Sequence, residues 1–593
     1  MRGEPIVGVK PVSPPPELLG SHDRPMSVPA GRPWLALYDA HVPHELDPPC
    51  AVGVALFERG VRERPEETAI VYFDTTISYG EAGALAHALA AALRDDLGLR
   101  VGERVALMLQ NVPQAVIAFH AVWLAGGVVT PVNPMNKRRE LLHQFGDGGV
   151  RIAVCLESLH DLVAEVRADT PLEHIVTVSE LDLLDTVPVT LAGHRRRASP
   201  GAHRFMDLVG AHAGTRVEPH VPDPRDPALL TYTSGTTGLP KGAINTHASI
   251  VHNAEVMSRW YDLGPPDVTV AMAPLFHITG IVCHLATARM SATPLLLLYR
   301  FDAGEILRLI ERWRGTFIIG PLTAFIAMLE HPSFPDRDLS SLTKVASGGA
   351  PVYPSVVERW ERATGVYLHN TYGMTETSAP THLVPAGARS PVDAESGALS
   401  VGVPVPGTRS RIVSLDDGRD APPGVAGEIL TKGPAVTPGY WNRPEDTARA
   451  VVDGWLHTGD VGKRDEDGWF FLVDRIKDMI NVSGYKVWPR DVEDVLYQHP
   501  AVLEASVVGV PDGYRGERVR AYVALRGGAQ ATPEELVAHC RELLAVYKSP
   551  REVVLVDEIP KTLTGKALRR ELRERARVEV NNEAGGKRRV PRR

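Results

Sequence analysis

The sequence predicts an α/β protein: a large N-terminal domain of mainly parallel sheets flanked by helices, then a small α+β C-terminal domain. Three observations carry this. Short apolar runs alternate with amphipathic stretches through most of the chain, and such crossover units pair as parallel strands with helices on the sheet faces. Past about Arg475 the rhythm changes to the short strands and helices of a separate unit. At 593 residues, 44% of them hydrophobic, the chain is too long for one core and apolar enough for more.

Taken in order, residues 1–46 are rich in Pro and Gly without sustained periodicity, and read as an extension that wraps the body or stays loose. Residues 47–476 form the large domain. Within it, 50–64 reads as a helix, 69–72 as a strand, and 77–81 as the lead into an alanine-rich helix through Arg94. The run 104–109 is a buried strand and 112–124 a helix with a broad apolar face. Gly126-Gly127 ends that helix before a strand at 128–131. Residues 152–155 read as a strand and 159–168 as a helix. The polar stretch 185–226 reads as a long surface loop whose Arg195-Arg196-Arg197 is a solvated face. Further on, Ile250, Ala254, Met257 and Tyr261 share one helical face, while Ile306, Leu309, Ile310 and Trp313 share another. Strands at 268–272 and 316–319 flank the second of these helices. Residues 477–576 carry strands at 503–510, 519–525 and 552–556 and a helix at 533–544. Residues 577–593 read as a disordered basic tail.

The bulk properties exclude several classes. A net charge of -8 argues against general nucleic-acid affinity, which needs a basic surface. Cys50, Cys155, Cys283 and Cys540 lie far apart without metal-ligand spacing, which suits reduced thiols in a cytoplasmic protein. The first 20 residues lack an apolar core and contain Pro14-Pro15-Pro16, unlike a signal peptide. No apolar run approaches the roughly 20 residues of a membrane span, which leaves peripheral membrane contact open.

The chemistry centres on Leu230-Thr231-Tyr232-Thr233-Ser234-Gly235-Thr236-Thr237-Gly238-Leu239-Pro240-Lys241-Gly242. An apolar run ends in a loop of hydroxyls and glycines closed by one lysine. Glycines let backbone N–H groups turn inward as an anion cradle, hydroxyls add donors, and Lys241 brings a mobile positive charge. The loop reads as a polyphosphate binder. It is not a Walker A loop, because Lys241 lies between Pro240 and Gly242 instead of preceding Ser or Thr at a helix start. Taken singly, a Ser/Thr/Gly loop is more often an ordinary turn. The run Thr233 to Gly242 as a whole resembles the signature of the adenylate-forming superfamily, which includes acyl-CoA synthetases, peptide-synthetase adenylation domains and luciferases.

That resemblance extends from about Cys50 to Arg575 and implies roles for other segments. In Asn370-Thr371-Tyr372-Gly373-Met374-Thr375-Glu376 it implies an ATP/AMP-binding segment, with Tyr372 against adenine, Thr375 at the α-phosphate and Glu376 as the metal ligand. One carboxylate suffices for Mg²⁺, which also takes substrate phosphate oxygens. Gly349 and Ala350, in Ser347-Gly348-Gly349-Ala350-Pro351, would lie between adenine and the acyl pocket. Asp460 matches a ribose-binding aspartate, Arg475 a nucleotide-contacting arginine and Lys477 the hinge of a mobile small domain. Many relatives have Gly where this chain has Asp474. Lys566, within Pro560-Lys561-Thr562-Leu563-Thr564-Gly565-Lys566, resembles the catalytic lysine, a preplaced cation for charge building at the α-phosphate. Lys241, Thr375 and Glu376 complete the catalytic set.

Among branches, Phe276 and His277 in Pro274-Leu275-Phe276-His277-Ile278-Thr279-Gly280 resemble the acyl-pocket border of acyl- and aryl-CoA synthetases. Ser483, Gly484 and Tyr485 resemble the segment facing a pantetheine tunnel. The resemblance is strongest to long-chain fatty acid–CoA ligases. It implies an ATP- and Mg²⁺-dependent, AMP-forming acid–thiol ligase acting on a medium- or long-chain fatty acid with coenzyme A as co-substrate, as monomer or homodimer. An acyl-AMP ligase loading a carrier protein and an aryl-CoA ligase are the alternatives.

Overall fold

The computed structural model describes residues 32–233, 240–475, 478–483, 485–512, 516–562 and 566–586. Ser234, Gly235, Thr236, Thr237, Gly238, Lys477 and Gly484 of the sequence reading lie outside the described residues.

The large domain holds two sheets. The seven-stranded one runs His203–Arg204, His174–Val178, Ile152–Leu156, Arg104–Met108, Val128–Pro131, Pro227–Tyr232 and Gly242–Thr246. Its pairs are parallel except the last, where Pro227–Tyr232 and Gly242–Thr246 form an antiparallel hairpin. The signature loop is therefore a hairpin connection at the sheet edge, closed by Thr233 N–H donating to Lys241 O at 2.9 Å. It starts at the carboxyl end of a strand, where ligands of such sheets collect.

The fourteen-stranded sheet changes character along its length. From Thr68–Tyr72 through Leu295–Leu297, Thr269–Val270, Phe317–Gly320 and Lys344–Ser347 to Leu368–Met374 the pairs are parallel. From Leu368–Met374 onward, through Ala379–Leu383, Ser400–Pro404, Phe470–Arg475, Trp455–Arg464, Gly427–Lys432 and Arg409–Val413, they are antiparallel. That second half went unread in the sequence, because hairpin-linked strands lack the intervening helices that mark crossover units.

Local chemistry explains the helices that pack between these sheets. Ser78 caps Tyr79–Asp95 in a reciprocal box: its Oγ accepts from Glu81 N–H at 3.1 Å, and Glu81 Oε2 accepts from Ser78 N–H at 2.7 Å. Pro113–Leu124 is buried on every face and packs on Tyr79–Asp95, so its apolar face is its whole circumference. Two buried indoles donate to main-chain carbonyls, Trp123 to Ala228 O at 3.1 Å and Trp260 to Val384 O at 2.8 Å.

Other expectations need correcting. The stretch read as one long loop contains the helix Phe205–Ala211, seated by buried Phe205, Leu208 and Val209. The helix read at 159–168 divides into 3-10 turns and the short helix His160–Glu165. Of the extension, residues 33–46 wrap rather than stay loose. Trp34 is buried edge-on to Phe470, and Tyr38 O–H donates to Pro404 O at 2.5 Å.

The small domain has the sheet Tyr485–Val487, Ile480–Val482, Gly516–Leu525 and Val502–Asp512, with Glu552–Leu555 parallel to Gly516–Leu525. Pro489–Gln498 and Pro533–Leu543 pack on it. Arg569–Gly586 extends the helical chain past Arg577, where the sequence reading begins its basic tail, and Lys587 to Arg593 lie outside the described residues. Arg520, 1% exposed, is held there by Glu552 at 2.6 Å and Glu579 at 2.5 Å. The four cysteines are free. Among the described residues no helix is long and apolar enough to cross a membrane.

Gly402 sits at φ +92° within the antiparallel half, where a Cβ would lie 2.1 Å from the main chain of Leu383. Gly402→Ala is expected to cost about 2 kcal/mol or more of stability, read as a lower denaturant midpoint of the large-domain transition.

Candidate active site

The switch from parallel to antiparallel pairing falls on the strand Leu368–Met374, which carries the tyrosine–glutamate motif. Asn370 to Met374 lie on the strand itself and Thr375–Thr377 in a 3-10 turn. Gly373 is required here by packing, since a Cβ would stand 2.1 Å from Ala379 O. Gly348 is required likewise, since a Cβ there would stand 2.1 Å from Thr371 Oγ1, and it brings the chain leading into Gly349 and Ala350 alongside the motif strand, where Ser347 pairs with Asn370.

Asp460 and Arg475 come from neighbouring strands paired in register. The Asp460 carboxylate is 2% exposed, accepts the Tyr372 hydroxyl at 2.8 Å and meets Arg475 Nε at 2.9 Å. Burial, then the Asp460 charge, pushes the Tyr372 phenol well above its ordinary pKa, so it stays a donor. The Asp460 charge foremost raises the Arg475 pKa against the cost of burial, and the charges of Asp478 and Glu376 add to it. Glu376 therefore lies within electrostatic reach of this group.

A second cluster joins the hairpin to the Glu376 turn. Glu376 Oε1 accepts from the Tyr440 hydroxyl at 2.8 Å, and Lys241 Nζ lies 5.2 Å from the centre of the Tyr440 ring. Lys241 Nζ also donates to Asp446 at 2.8 Å. Asn245, on the second hairpin strand, accepts from Thr231 Oγ1 at 2.8 Å and donates to Thr375 O at 2.8 Å. Thr437 closes the set, its N–H on Glu376 O and its hydroxyl on Ile244 O, both at 2.7 Å. The hydroxyl-rich hairpin and the glutamate turn thus share one wall.

The small domain acts on the large one through Lys566, whose charge is felt at His277. Its loop is tied by Lys566 N–H to Thr562 Oγ1 at 3.1 Å and Thr562 N–H to Lys566 O at 2.8 Å. Burial foremost, and then the charge of Lys566, hold the His277 imidazole at a pKa of about 4. His277 Nδ1 accepts from Thr279 N–H at 3.3 Å, so the neutral ring carries its proton on Nε2. Phe276 beside it is buried.

Not every predicted residue joins this cluster through its side chain. Asn370 donates to Leu399 O at 3.3 Å and Ser400 O at 3.0 Å, which commits its amide to the sheet. Exposed Ser483 and Tyr485 lie on the small-domain surface, where Tyr485 stacks on Tyr547 at 4.8 Å. Tyr440, Asp446, Asn245 and Thr437 escaped the sequence reading. Gly439-Tyr440-Trp441 was a signal available for the first, but nothing local ties it to Glu376, 64 positions away. Of the arginine run, Arg196 pairs with Asp182 and lines, with Arg197 and Arg204, a surface depression of about 680 Å³ at the sheet edge opposite the hairpin.

Known proteins resemble this chain over most of its length. Residues 57–441 match the AMP-binding enzyme family and residues 491–566 its C-terminal domain. The chain belongs to the AMP-binding enzyme family. It is 36% identical over 554 residues to a long-chain-fatty-acid–CoA ligase of Bacillus subtilis (strain 168), covering 92% of this chain and 98% of that protein. A feruloyl-CoA synthase of an Amycolatopsis species is 36% identical over 519 residues, 87% of this chain and 97% of that one. The crystal structure of an anthranilate CoA ligase with anthranoyl-AMP superposes with a TM-score of 0.80 at 28% identity, covering 91% and 99% of the two chains. The sequence expectation of an AMP-forming acid–thiol ligase agrees with the names of these relatives.

If the Lys566 charge acts on His277 across the domain boundary, Lys566→Ala should raise the His277 pKa from about 4 while leaving it below 6.5. Imidazole NMR titration of parent and variant measures this. Because the folded ring binds its proton only near pH 4 while the unfolded chain does so near 6.5, its contribution to stability is full above pH 6.5. It is lost as the pH falls toward 4, and His277→Gln should flatten that loss in acid-unfolding curves.

Proposed function

We propose that this AMP-binding enzyme is an ATP-dependent acyl-CoA synthetase. It activates a medium- or long-chain fatty acid as an acyl-adenylate and transfers the acyl group to coenzyme A. The observation that carries the reading is convergence. The Tyr372–Asp460–Arg475 group and the Glu376–Tyr440–Lys241 group come from distant parts of the chain and lie within electrostatic reach of one another, and the small domain brings the charge of Lys566 to bear on His277 of the large domain.

In the first half-reaction a carboxylate oxygen attacks the α-phosphorus, and the bond to pyrophosphate breaks. Asp460 accepts from the ribose hydroxyls, Tyr372 flanks adenine, and Arg475 contacts the nucleotide. Thr233, Ser234, Gly235, Thr236, Thr237, Gly238 and Lys241 cradle the outer phosphates, and Gly349 and Ala350 border the acyl end. Lys241 is 38% exposed in its pairing with Asp446, so phosphate oxygens can compete for it. Thr375 and Lys566 face the α-phosphate, where a fixed cation offsets charge as it builds. Glu376 would hold Mg²⁺ together with phosphate oxygens. Glu376 offers the hard oxygen donor such an ion takes beside substrate oxygens, its Oε1 already oriented by the Tyr440 hydroxyl at 2.8 Å. Bound there, Mg²⁺ would neutralise phosphate charge.

In the second half-reaction the thiol attacks the acyl carbonyl and AMP leaves. The small domain turns about Lys477, withdraws Lys566 and brings Ser483, Gly484 and Tyr485 to line the path of the thiol. The enzyme is assigned to the cytoplasm, as monomer or homodimer. Identity to long-chain-fatty-acid–CoA ligases over nine-tenths of the chain favours a fatty acid. A second reading, an aryl-CoA ligase, draws on equal identity to a feruloyl-CoA synthase and on the anthranilate-ligase likeness. CoA-thioester formation across a series of fatty and aryl acids separates the two, and thioester on a carrier protein without CoA turnover would replace both.

Lys566→Ala should slow acid-dependent pyrophosphate release about 10²-fold or more and leave CoA thiolysis of a supplied acyl-adenylate close to parent. Equal losses in both steps would remove its assigned role.

A further inference from the structure

The boundary between the two domains carries a set of buried polar contacts. Asp474, on the large-domain strand Phe470–Arg475, has a side chain only 4% exposed. One oxygen accepts from its neighbour Arg475 N–H at 2.7 Å and from the Arg569 guanidinium at 3.1 Å. The other accepts from Arg490 N–H at 3.2 Å. Arg490 and Arg569 both belong to the small domain. Arg490 in turn grips two large-domain carbonyls, Leu472 O at 2.7 Å and Val352 O at 3.0 Å. Arg569 also binds Glu493 at 2.7 Å, and Glu493 accepts the hydroxyl of Tyr353, a large-domain residue, at 3.0 Å.

Arg569 lies three residues beyond Lys566, at the start of the helix Arg569–Gly586. The intervening chain is short and tied, with Leu568 N–H on Pro560 O at 2.8 Å. Where Arg569 is anchored therefore decides where Lys566 stands. Burial opposes the Arg569 charge, and the carboxylates of Glu493, Asp474 and Asp478 more than offset it. Two of these, Glu493 and Asp478, are small-domain residues and move with Arg569. Asp474 is the one that does not.

We propose that Asp474 is a positioning residue of the first half-reaction: by binding Arg490 and Arg569 across the domain boundary it holds the small domain, and Lys566 with it, in the orientation of this structure, and it is released when the small domain turns. This rests on the two-step reading above. A buried charge serving only stability would support both steps alike, whereas a latch specific to one orientation must favour one step over the other.

The test measures the two half-reactions separately in the full-length enzyme. Asp474→Ala leaves Arg569 with two carboxylates, and should lower acid-dependent pyrophosphate release about tenfold while CoA thiolysis of a supplied acyl-adenylate stays at parent rate or rises severalfold. Tyr353→Phe, which removes one hydroxyl from the same boundary, should move the two rates in the same directions by a smaller factor. If Asp474→Ala does not fold, Asp474→Asn, which keeps the side chain's shape and removes its charge, decides by the same two rates. Equal losses in both half-reactions, or no change in either, overturn the proposal. A parent enzyme that releases no pyrophosphate with any acid overturns the functional reading itself, and the latch with it.

Discussion

The buried carboxylate of Asp460 is the constraint around which the rest of the site is arranged. A charge 2% exposed needs partners, and among the described residues it has the Tyr372 hydroxyl at 2.8 Å and Arg475 Nε at 2.9 Å. Those partners arrive from different strands, so satisfying one carboxylate fixes the relation of Leu368–Met374 to Trp455–Arg464 and Phe470–Arg475. The same relation sets Glu376, in the turn after Leu368–Met374, within electrostatic reach of Arg475. An arrangement that neutralises buried charge and one that receives a nucleotide are here the same arrangement.

The antiparallel half of the long sheet is what makes this relation achievable. Parallel strands joined by helices gather their carboxyl ends at one edge of a sheet, and each of the two sheets presents a motif there, the hairpin in one and the glutamate turn in the other. They do not readily place two side chains of adjacent strands face to face across a short connection. The hairpin-linked strands do so, with Asp460 opposite Arg475 in register. The site therefore uses parallel architecture to gather loops and antiparallel architecture to align charges.

The domain boundary extends the same logic. Arg490 donates to two large-domain carbonyls, and Tyr353 and Asp474 meet charged groups of the small domain. Polar contacts of this kind define an orientation sharply, since a displaced partner leaves a buried charge unpaired. They also dissolve more readily than an apolar core when new partners exist elsewhere. A boundary built from them suits a domain that must occupy more than one position.

Much of this was present in the linear chain. The helices Tyr79–Asp95, Pro113–Leu124 and Ala303–Trp313 and the strands Arg104–Met108 and Gly516–Leu525 follow from periodicity and capping, because each is decided by residues a few positions apart. The motifs around Lys241, Tyr372, Asp460 and Lys566 were visible for the same reason, as contiguous runs of distinctive residue types. The partners were not. That Tyr440 holds Glu376, that Asp446 holds Lys241, and that Lys566 is felt at His277 depend on strand register and domain orientation. Those are fixed by which faces can be buried together and which charges must be matched, a property of the assembled tertiary structure and of no single segment.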